Sequence, residues 1–117
     1  MKILFVVNDP PYGTERSYNA LRLAGALVRH DPQPEVTVFL LADAVSCAKR
    51  GQKVPQGFYN IELMVKSVLR GGGEVLLCGT CLDARGLVEA ELVEGTRRSS
   101  LDALAEQSLA ADRVLTF

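Results

Sequence analysis

The chain has 117 residues, an apolar share of 48% and a formal net charge of −1 at pH 7. This length suits one domain over residues 1–117, because a second domain would have too little core of its own. No basic run exceeds two residues, as at Arg97 and Arg98. The chain therefore lacks the basic stripe that neutralises nucleic-acid phosphates, and we expect no nucleic-acid partner.

The first predicted element is a short apolar strand over Lys2–Asn8, which ends at a double proline. Its apolar run is shorter than the roughly 7–15 residues of a signal-peptide core, and no stretch approaches the roughly 18 residues of a membrane span. We therefore expect a cytoplasmic protein without a membrane partner. Thr14 is the predicted N-cap of a helix that runs to about His30, where Asp31–Pro34 ends it.

The middle of the chain predicts two strands and two helices. Glu35–Leu41 is rich in β-branched and aromatic residues and predicts the second strand, followed by a short helix over Ala42–Lys49. Phe58–Leu69 has the clearest helical pattern of the chain, because its apolar residues fall on one stripe. A glycine run ends this helix, and Glu74–Cys78 is the third predicted strand.

The last third of the chain predicts two short strands around a helix. Gly95–Arg98 is the fourth predicted strand, and Arg113–Phe117 is the fifth. Ser100 is the predicted N-cap of a helix that continues to about Ala110. The buried face of this helix is expected to consist of Leu101, Leu104, Ala105 and Leu109.

Strands that alternate with helices predict a three-layer α/β fold with a five-stranded, mostly parallel sheet and helices on both faces. The flavodoxin-like strand order 2-1-3-4-5 is the natural topology for this pattern. In that order the first and third strands are neighbours. The loop at Asn8–Thr14 and the segment that begins at Cys78 are then expected to face each other across one crevice.

Two cysteines three residues apart, Cys78 and Cys81, follow the third strand and offer the plainest covalent chemistry in the chain. Ligands gather beyond the carboxyl ends of parallel strands, and a thiol there is readily activated as thiolate. Cys-x-x-Cys spacing also allows a redox disulfide. A metal site needs about four ligands, and Cys47 and His30 are distant, so we expect no metal and no cofactor. Cys47 is expected to be a buried apolar side chain.

Several short segments carry a resemblance to a known family. They are Pro11–Glu15, Leu21–Ala24, Ala42–Val45, Arg50–Lys53, Tyr59–Ile61, Cys78–Gly86 and Ala111–Phe117. In this order and spacing they resemble the DsrE/DsrF family of sulfur-relay proteins, and within it the YchN branch. The resemblance implies the same five-stranded fold, assembled into homotrimers or homohexamers, with sulfur donor and acceptor proteins as partners.

The same resemblance implies that Cys78 carries sulfur as a persulfide, because that cysteine lies eight residues before a glycine, here Gly86. Cys81 matches a second cysteine of the YchN branch that some relay subunits lack, and we predict that it resolves the persulfide by forming a disulfide with Cys78. Tyr12, Gly13 and Arg85 are predicted to form the wall of the pocket. Two other functions stay open: a dithiol/disulfide oxidoreductase or redox sensor that uses both cysteines, and a non-catalytic assembly subunit.

Overall fold

A computed structural model of the protein, which describes residues 1–117, contains five strands and four α-helices that alternate along the chain. The strands are β1 (Lys2–Val7), β2 (Glu35–Leu40), β3 (Glu74–Cys78), β4 (Arg97–Ser99) and β5 (Arg113–Thr116). The helices are α1 (Arg16–Leu27), α2 (Ile61–Arg70), α3 (Gly79–Ala84) and α4 (Leu101–Ala110), with 3-10 helices at Ala42–Ala48 and Glu89–Glu91. None of the helices combines the length and the apolar character that crossing a bilayer requires.

The five strands form one sheet in the order β4-β3-β2-β1-β5, and every neighbouring pair is parallel. The predicted α/β class, a five-stranded parallel sheet with helices around it, is confirmed. The first four strands follow one another across the sheet. The chain then crosses back, so that β5 pairs with the far side of β1. The register places Cys78, the last residue of β3, beside Ser99 of β4.

The position of β2 differs from the flavodoxin-like order, in which β1 and β3 are neighbours. In the structure β2 pairs with both β1 and β3 and therefore lies between them. The connections through α1 and α2 thus join adjacent strands, which is the commonest arrangement for consecutive elements. As a result the ends of β1 and β3 lie about 10 Å apart, two strand spacings, and the end of β2 occupies the expected crevice.

The helices lie on both faces of the sheet. Helices α1 and α2 pack against each other and against the central strands, whereas α4 contacts β1. Crossovers between parallel strands are almost always right-handed, so connections that run in one direction along the sheet share one face. The connection from β4 to β5 runs in the opposite direction and places α4 on the other face.

The main core lies between the sheet and the pair α1 and α2. Phe5, Val38 and Leu77 are fully buried on three neighbouring strands, and Leu21 and Val65 are buried on the two helices. Burying a side chain of this size contributes about 1.5–3 kcal/mol. The apolar stripe predicted for α2 is therefore the face that this helix turns to the sheet.

The prediction of the buried face of α4 is largely wrong for the single chain. Leu104 is buried, but Leu101 is 70% exposed and Leu109 is 90% exposed, and Ala105 is exposed as well. The spacing of apolar residues shows which side chains share a helix face, but it does not show that another element covers that face. Here the main contact of α4 is with β1, and of the four predicted side chains only Leu104 is buried.

Of the two predicted N-cap residues, one is confirmed and one is wrong. Ser100 caps α4 as predicted, since its Oγ accepts the N–H of Ala103 at 3.2 Å. Thr14 does not cap α1, because this helix begins at Arg16 after Glu15, which makes no side-chain cap bond. The hydroxyl of Thr14 instead donates to Asp9 Oδ2 at 3.0 Å and stabilises the preceding turn.

Candidate functional site

Cys78 lies where β3 passes directly into α3. It is the last residue of the strand and also the N-cap residue of the helix. Its Sγ accepts the backbone N–H of Cys81 at 3.3 Å and lies 3.3 Å from the hydroxyl oxygen of Thr80. The N–H of Cys81 is free for this bond because the first N–H groups of a helix have no partner within the helix. The side chain is nearly buried, with 6% of the residue exposed.

Two opposing effects set the pKa of Cys78. Burial raises it, but the hydrogen bonds from Cys81 and Thr80 together outweigh burial and hold the pKa below its ordinary value. Hydrogen bonds to the charged form of a group favour that form, so these donors stabilise a thiolate. Cys78 is therefore the more readily ionised thiol of the pair, which is the requirement for a nucleophile.

Cys81 differs from Cys78 in its acid-base behaviour. Burial raises the pKa of Cys81, and its hydrogen bond with Cys78 raises it further. Its Sγ accepts the N–H of Ala42 at 3.2 Å, at the end of β2. Ala42 has φ +50°, a left-handed conformation that costs a non-glycine residue about 1–3 kcal/mol. This strained residue aims its N–H at the second thiol.

Arg85 fixes the outer end of α3 and is part of the site. Its Nε and Nη2 donate to Asp43 Oδ1 at 3.0 and 2.8 Å, and its Nη1 donates to the carbonyl oxygen of Cys81 at 3.0 Å. These bonds join α3 to the 3-10 helix that follows β2. The structure thus places Arg85 beside the cysteine pair, where its guanidinium holds the backbone of Cys81.

Arg98 and Asp83 form a second ion pair beside Cys78. Two guanidinium nitrogens of Arg98 donate to the two carboxylate oxygens of Asp83, at 2.8 and 2.7 Å. The guanidinium also lies against Gly79, where a Cβ atom would come within 2.8 Å of Arg98 Nε. Glycine is therefore the residue that lets Arg98 approach the chain directly after Cys78.

Sequence reasoning did not identify Arg98 as a site residue. In the sequence it is half of a two-residue basic run, twenty positions after Cys78. The signal that could have found it is the register of β3 and β4, which pairs Leu77 with Arg98 and Cys78 with Ser99. That register is a tertiary property that periodicity in a three-residue strand does not encode.

Tyr12 and Gly13 lie elsewhere, at the end of β1. The hydroxyl of Tyr12 donates to Gln52 Oε1 at 2.6 Å and accepts the N–H of Ile61 at 3.2 Å, and its ring stacks on Tyr59. Gly13 has φ +102°, which glycine adopts without strain. The strand β2 separates this loop from Cys78. Of the five predicted site residues, the structure therefore brings together the two cysteines and Arg85.

Cys47 is the third thiol and has a structural environment. It is fully buried in the 3-10 helix after β2, as expected. Burial raises the pKa of Cys47 to about 12, although a hydrogen bond with Ser17 acts in the opposite direction. No three His, Cys, Asp or Glu side chains lie close enough together to hold a metal ion.

A cleft of about 720 Å³ opens on the far side of α3 from the 3-10 helix that follows β2, and neither Cys78 nor Cys81 lines it. Its walls come from α3, from the segment between α3 and β4, from β4 itself and from Arg50. Arg98 lines the cleft and also lies against Gly79, the residue after Cys78. Arg98 is therefore the residue that connects this cleft to the chain at Cys78.

The comparisons with known proteins agree with this architecture. The model of the DsrE/DsrF-like family matches residues 1–117. The chain belongs to this family. Protein YchN of Escherichia coli is 42% identical over 116 residues, which cover 99% of this chain and 98% of YchN. The protein named sulfurtransferase TusD from Salmonella arizonae is 30% identical over 132 residues, and the match covers 100% of this chain and 100% of TusD.

A crystal structure of YchN from Escherichia coli has a TM-score of 0.94 against this chain at 42% identity. The match covers 100% of this chain and 99% of the YchN chain. The resemblance to the YchN branch found in the sequence is therefore confirmed. The MTH1491 protein of Methanobacterium thermoautotrophicum has a TM-score of 0.78 at 14% identity and shows the shared fold alone.

Proposed function

We propose that this protein is a sulfur-relay protein that carries sulfur as a persulfide on Cys78 and passes it to a partner protein. The observation that carries the proposal is the geometry of Cys78, a strand-end thiol that accepts hydrogen bonds from Cys81 and Thr80. Membership in the DsrE/DsrF-like family and the similarity to the protein named sulfurtransferase TusD support it.

The proposed transfer is a thiol exchange at sulfur. The Cys78 thiolate attacks the outer sulfur of a donor persulfide, and a new S–S bond forms while the S–S bond of the donor breaks. The donor leaves as a thiolate, and the proton of the outer sulfur travels with that sulfur. The oxidation state of the transferred sulfur does not change, so this step consumes no oxidant or reductant. An acceptor thiolate then repeats the exchange.

Cys81 is the predicted resolving thiol, and its surroundings bear on that role. To release the sulfur as hydrosulfide, the Cys81 thiolate would attack the inner sulfur of the Cys78 persulfide and form a disulfide. That step needs an ionised Cys81, whereas burial and the neighbouring Cys78 raise the pKa of Cys81. The resting protein is therefore better suited to carrying sulfur than to releasing it. Cys81 contributes its N–H, which holds the sulfur of Cys78.

A dithiol/disulfide oxidoreductase or redox sensor is the second candidate function. The observation that favours it is the direct interaction of the two thiols, which lowers the pKa of one and raises that of the other. This candidate requires a reversible disulfide between Cys78 and Cys81. A redox titration followed by mass spectrometry would detect that disulfide, and its absence at every physiological potential would exclude this function.

A non-catalytic assembly subunit is the third candidate, and self-association is also expected of the sulfur relay. The exposed side chains of Leu101 and Leu109 on α4 favour contact between copies of the chain. Light scattering tests the predicted homotrimer or homohexamer. If the thiols are incidental, replacing both Cys78 and Cys81 would leave the oligomeric state unchanged.

The test of the leading proposal is sulfur uptake. The protein is incubated with sodium polysulfide, desalted and analysed by intact-mass and peptide mass spectrometry. We expect one additional sulfur on the peptide that contains Cys78, complete loss of this uptake in Cys78→Ser, and retention in Cys47→Ser, the matched control. Equal uptake by wild type and Cys78→Ser would contradict the proposal.

A further inference from the structure

A persulfide moves negative charge away from the atoms that stabilise the resting thiolate. The added S–S bond is about 2.05 Å long, and the charge of an ionised persulfide resides mainly on the outer sulfur. The N–H of Cys81 and the hydroxyl of Thr80 both lie 3.3 Å from the inner sulfur, Sγ of Cys78. These donors are placed for the inner atom, so the outer sulfur requires a donor of its own.

Arg98 is the cation whose position fits that requirement. Its guanidinium lies against Gly79, the residue bonded to Cys78, and lines the cleft of about 720 Å³. Arg85 is also close, but its donors are engaged by Asp43 and by the carbonyl oxygen of Cys81. Arg98 donates to Asp83 through Nη1 and Nη2, and its Nε is the atom nearest to Gly79.

The ion pair of Arg98 and Asp83 is exposed and can therefore be exchanged at low cost. The Arg98 side chain is 56% exposed and that of Asp83 is 62% exposed. Exposed ion pairs contribute only about 0–1 kcal/mol, because water replaces either partner. A guanidinium also carries five N–H donors in a planar fork, so it can contact a second anion while it keeps part of the first contact.

We propose that Arg98 stabilises the anionic outer sulfur carried by Cys78, and that Asp83 holds its guanidinium beside Gly79 until that charge arrives. The inference rests on the proposed function, since it assigns a residue to the sulfur-loaded state. In this arrangement Asp83 is a positioning residue. Arg85 lies at the end of α3, and the charged residues that line the cleft are Arg50, Asp83, Glu89, Glu94, Arg97 and Arg98. Of the cleft residues, Arg98 is the one whose guanidinium lies against Gly79.

The charges of the resting state agree with this arrangement. The hydrogen bond with Asp83 is the main cause of the raised pKa of Arg98, and the negative charge of Cys78 adds a smaller effect in the same direction. Arg98 therefore already lies within the electric field of the cysteine before sulfur is loaded. A charge placed farther out from Cys78, towards the cleft, strengthens that interaction.

The experiment compares Arg98→Met with Arg113→Met. Arg113 is an exposed arginine on β5, at the opposite edge of the sheet from β4, and does not line the cleft. Wild type and both variants are loaded with sodium polysulfide to equal occupancy, checked by intact mass. The rate at which iodoacetamide alkylates the outer sulfur is then measured across pH.

We expect Arg98→Met to move the pH midpoint of this alkylation upward and to slow the reaction about tenfold at pH values below the midpoint, because a nearby cation favours the anion. Arg113→Met is expected to match wild type. Arg98→Lys, which keeps the charge but loses the planar fork, should recover most of the shift. A loss of packing alone would change the occupancy or the rate but leave the midpoint in place.

A second variant covers the case in which Arg98→Met fails to fold. Gly79→Ala preserves every charge, but its methyl group meets the guanidinium at 2.8 Å and displaces it. We expect this variant to move the midpoint in the same direction. If wild type takes up sulfur but neither variant shifts the pH midpoint, the proposed role of Arg98 is contradicted, whereas the proposed sulfur-relay function is not. If wild type takes up no sulfur, both are wrong.

Discussion

Cys78 and Cys47 are buried to nearly the same degree, with 6% and 0% of the residue exposed, yet their pKa values move in opposite directions. Cys78 is the last residue of β3, and Cys47 lies in the 3-10 helix that follows β2. Burial raises the pKa of each, because a low-dielectric environment disfavours the thiolate. The difference comes from the donors that surround the sulfur.

The surroundings of Cys47 supply little to stabilise a negative charge. Its side-chain hydrogen-bond partner is Ser17, and its neighbours Ala44, Val45 and Ala48 are apolar and fully buried. The end of β3 differs because the chain turns there into α3, where N–H groups have no helical partner. The comparison teaches that the position of a thiol relative to free donors, rather than its depth, decides whether it can act as a nucleophile.

The largest expected effect is the difference in alkylation rate between these two thiols. With a pKa of about 12, Cys47 is ionised to only about 0.001% at pH 7, whereas Cys78, whose pKa lies below 9.0, is ionised to about 1% or more. We expect iodoacetamide to modify Cys78 at least about a thousandfold faster in the native protein, as measured by peptide mass spectrometry. In denaturant the two rates should converge. Similar native rates would contradict the comparison.

A smaller effect is expected when the donors at Cys78 are removed one at a time. A hydrogen bond to a charged group contributes about 1.5 kcal/mol, which corresponds to about tenfold in rate. Cys81→Ala removes the strongest side-chain donor and should slow alkylation of Cys78 at pH 7 about tenfold, and Thr80→Val should slow it about threefold. Thr116→Val, at an exposed position on β5, is the matched control.

If Cys81→Ala and Thr80→Val both alkylated at the wild-type rate, the lowered pKa of Cys78 would have to come from backbone N–H groups alone. The site would then resemble any helix start with a cysteine at its N-cap. The measured order of the two variants thus tests which donor distinguishes Cys78 from Cys47.

The part of the site that could be predicted from the sequence is the part that lies within one segment. Glu74–Cys78 and the cysteines that follow were predicted with the bounds the structure has, because an apolar run, a glycine and two thiols are local signals. Arg85 lies within the same segment, one turn beyond Cys81. Its partner Asp43 comes from the 3-10 helix that follows β2, and the sequence around Arg85 carries no signal of this contact.

The parts that could not be predicted depend on which strands are neighbours. All the central strands are apolar, so composition does not show that β2 lies between β1 and β3. For this reason Tyr12 was expected near Cys78, whereas the structure places it against Gln52 and Ile61. Arg98 was overlooked for the converse reason, because only the pairing of β3 with β4 brings it to Gly79.

The smallest expected effect is on stability and concerns Cys47. Its pKa is raised from 9.0 to about 12 by folding, so the stability it contributes is complete below pH 9 and is lost as the pH rises from 9 towards 12. Between pH 8 and pH 9.5 the ionised thiol stabilises the unfolded chain by about 0.8 kcal/mol. We therefore expect the free energy of unfolding, measured in urea, to fall by about 0.8 kcal/mol less in Cys47→Ala than in wild type over this interval.

The Cys47→Ala comparison isolates one thiol because every other titrating group is shared by both proteins. Cys78 acts in the opposite direction: its lowered pKa adds stability as the pH rises towards 9.0. Cys78→Ala should therefore remove a gain between pH 7 and pH 8, an interval in which Cys47 changes the free energy of unfolding by less than about 0.1 kcal/mol. If both variants followed the pH dependence of wild type, the two thiols would have ordinary pKa values, and the donors at the end of β3 would not distinguish Cys78 from a thiol in the core.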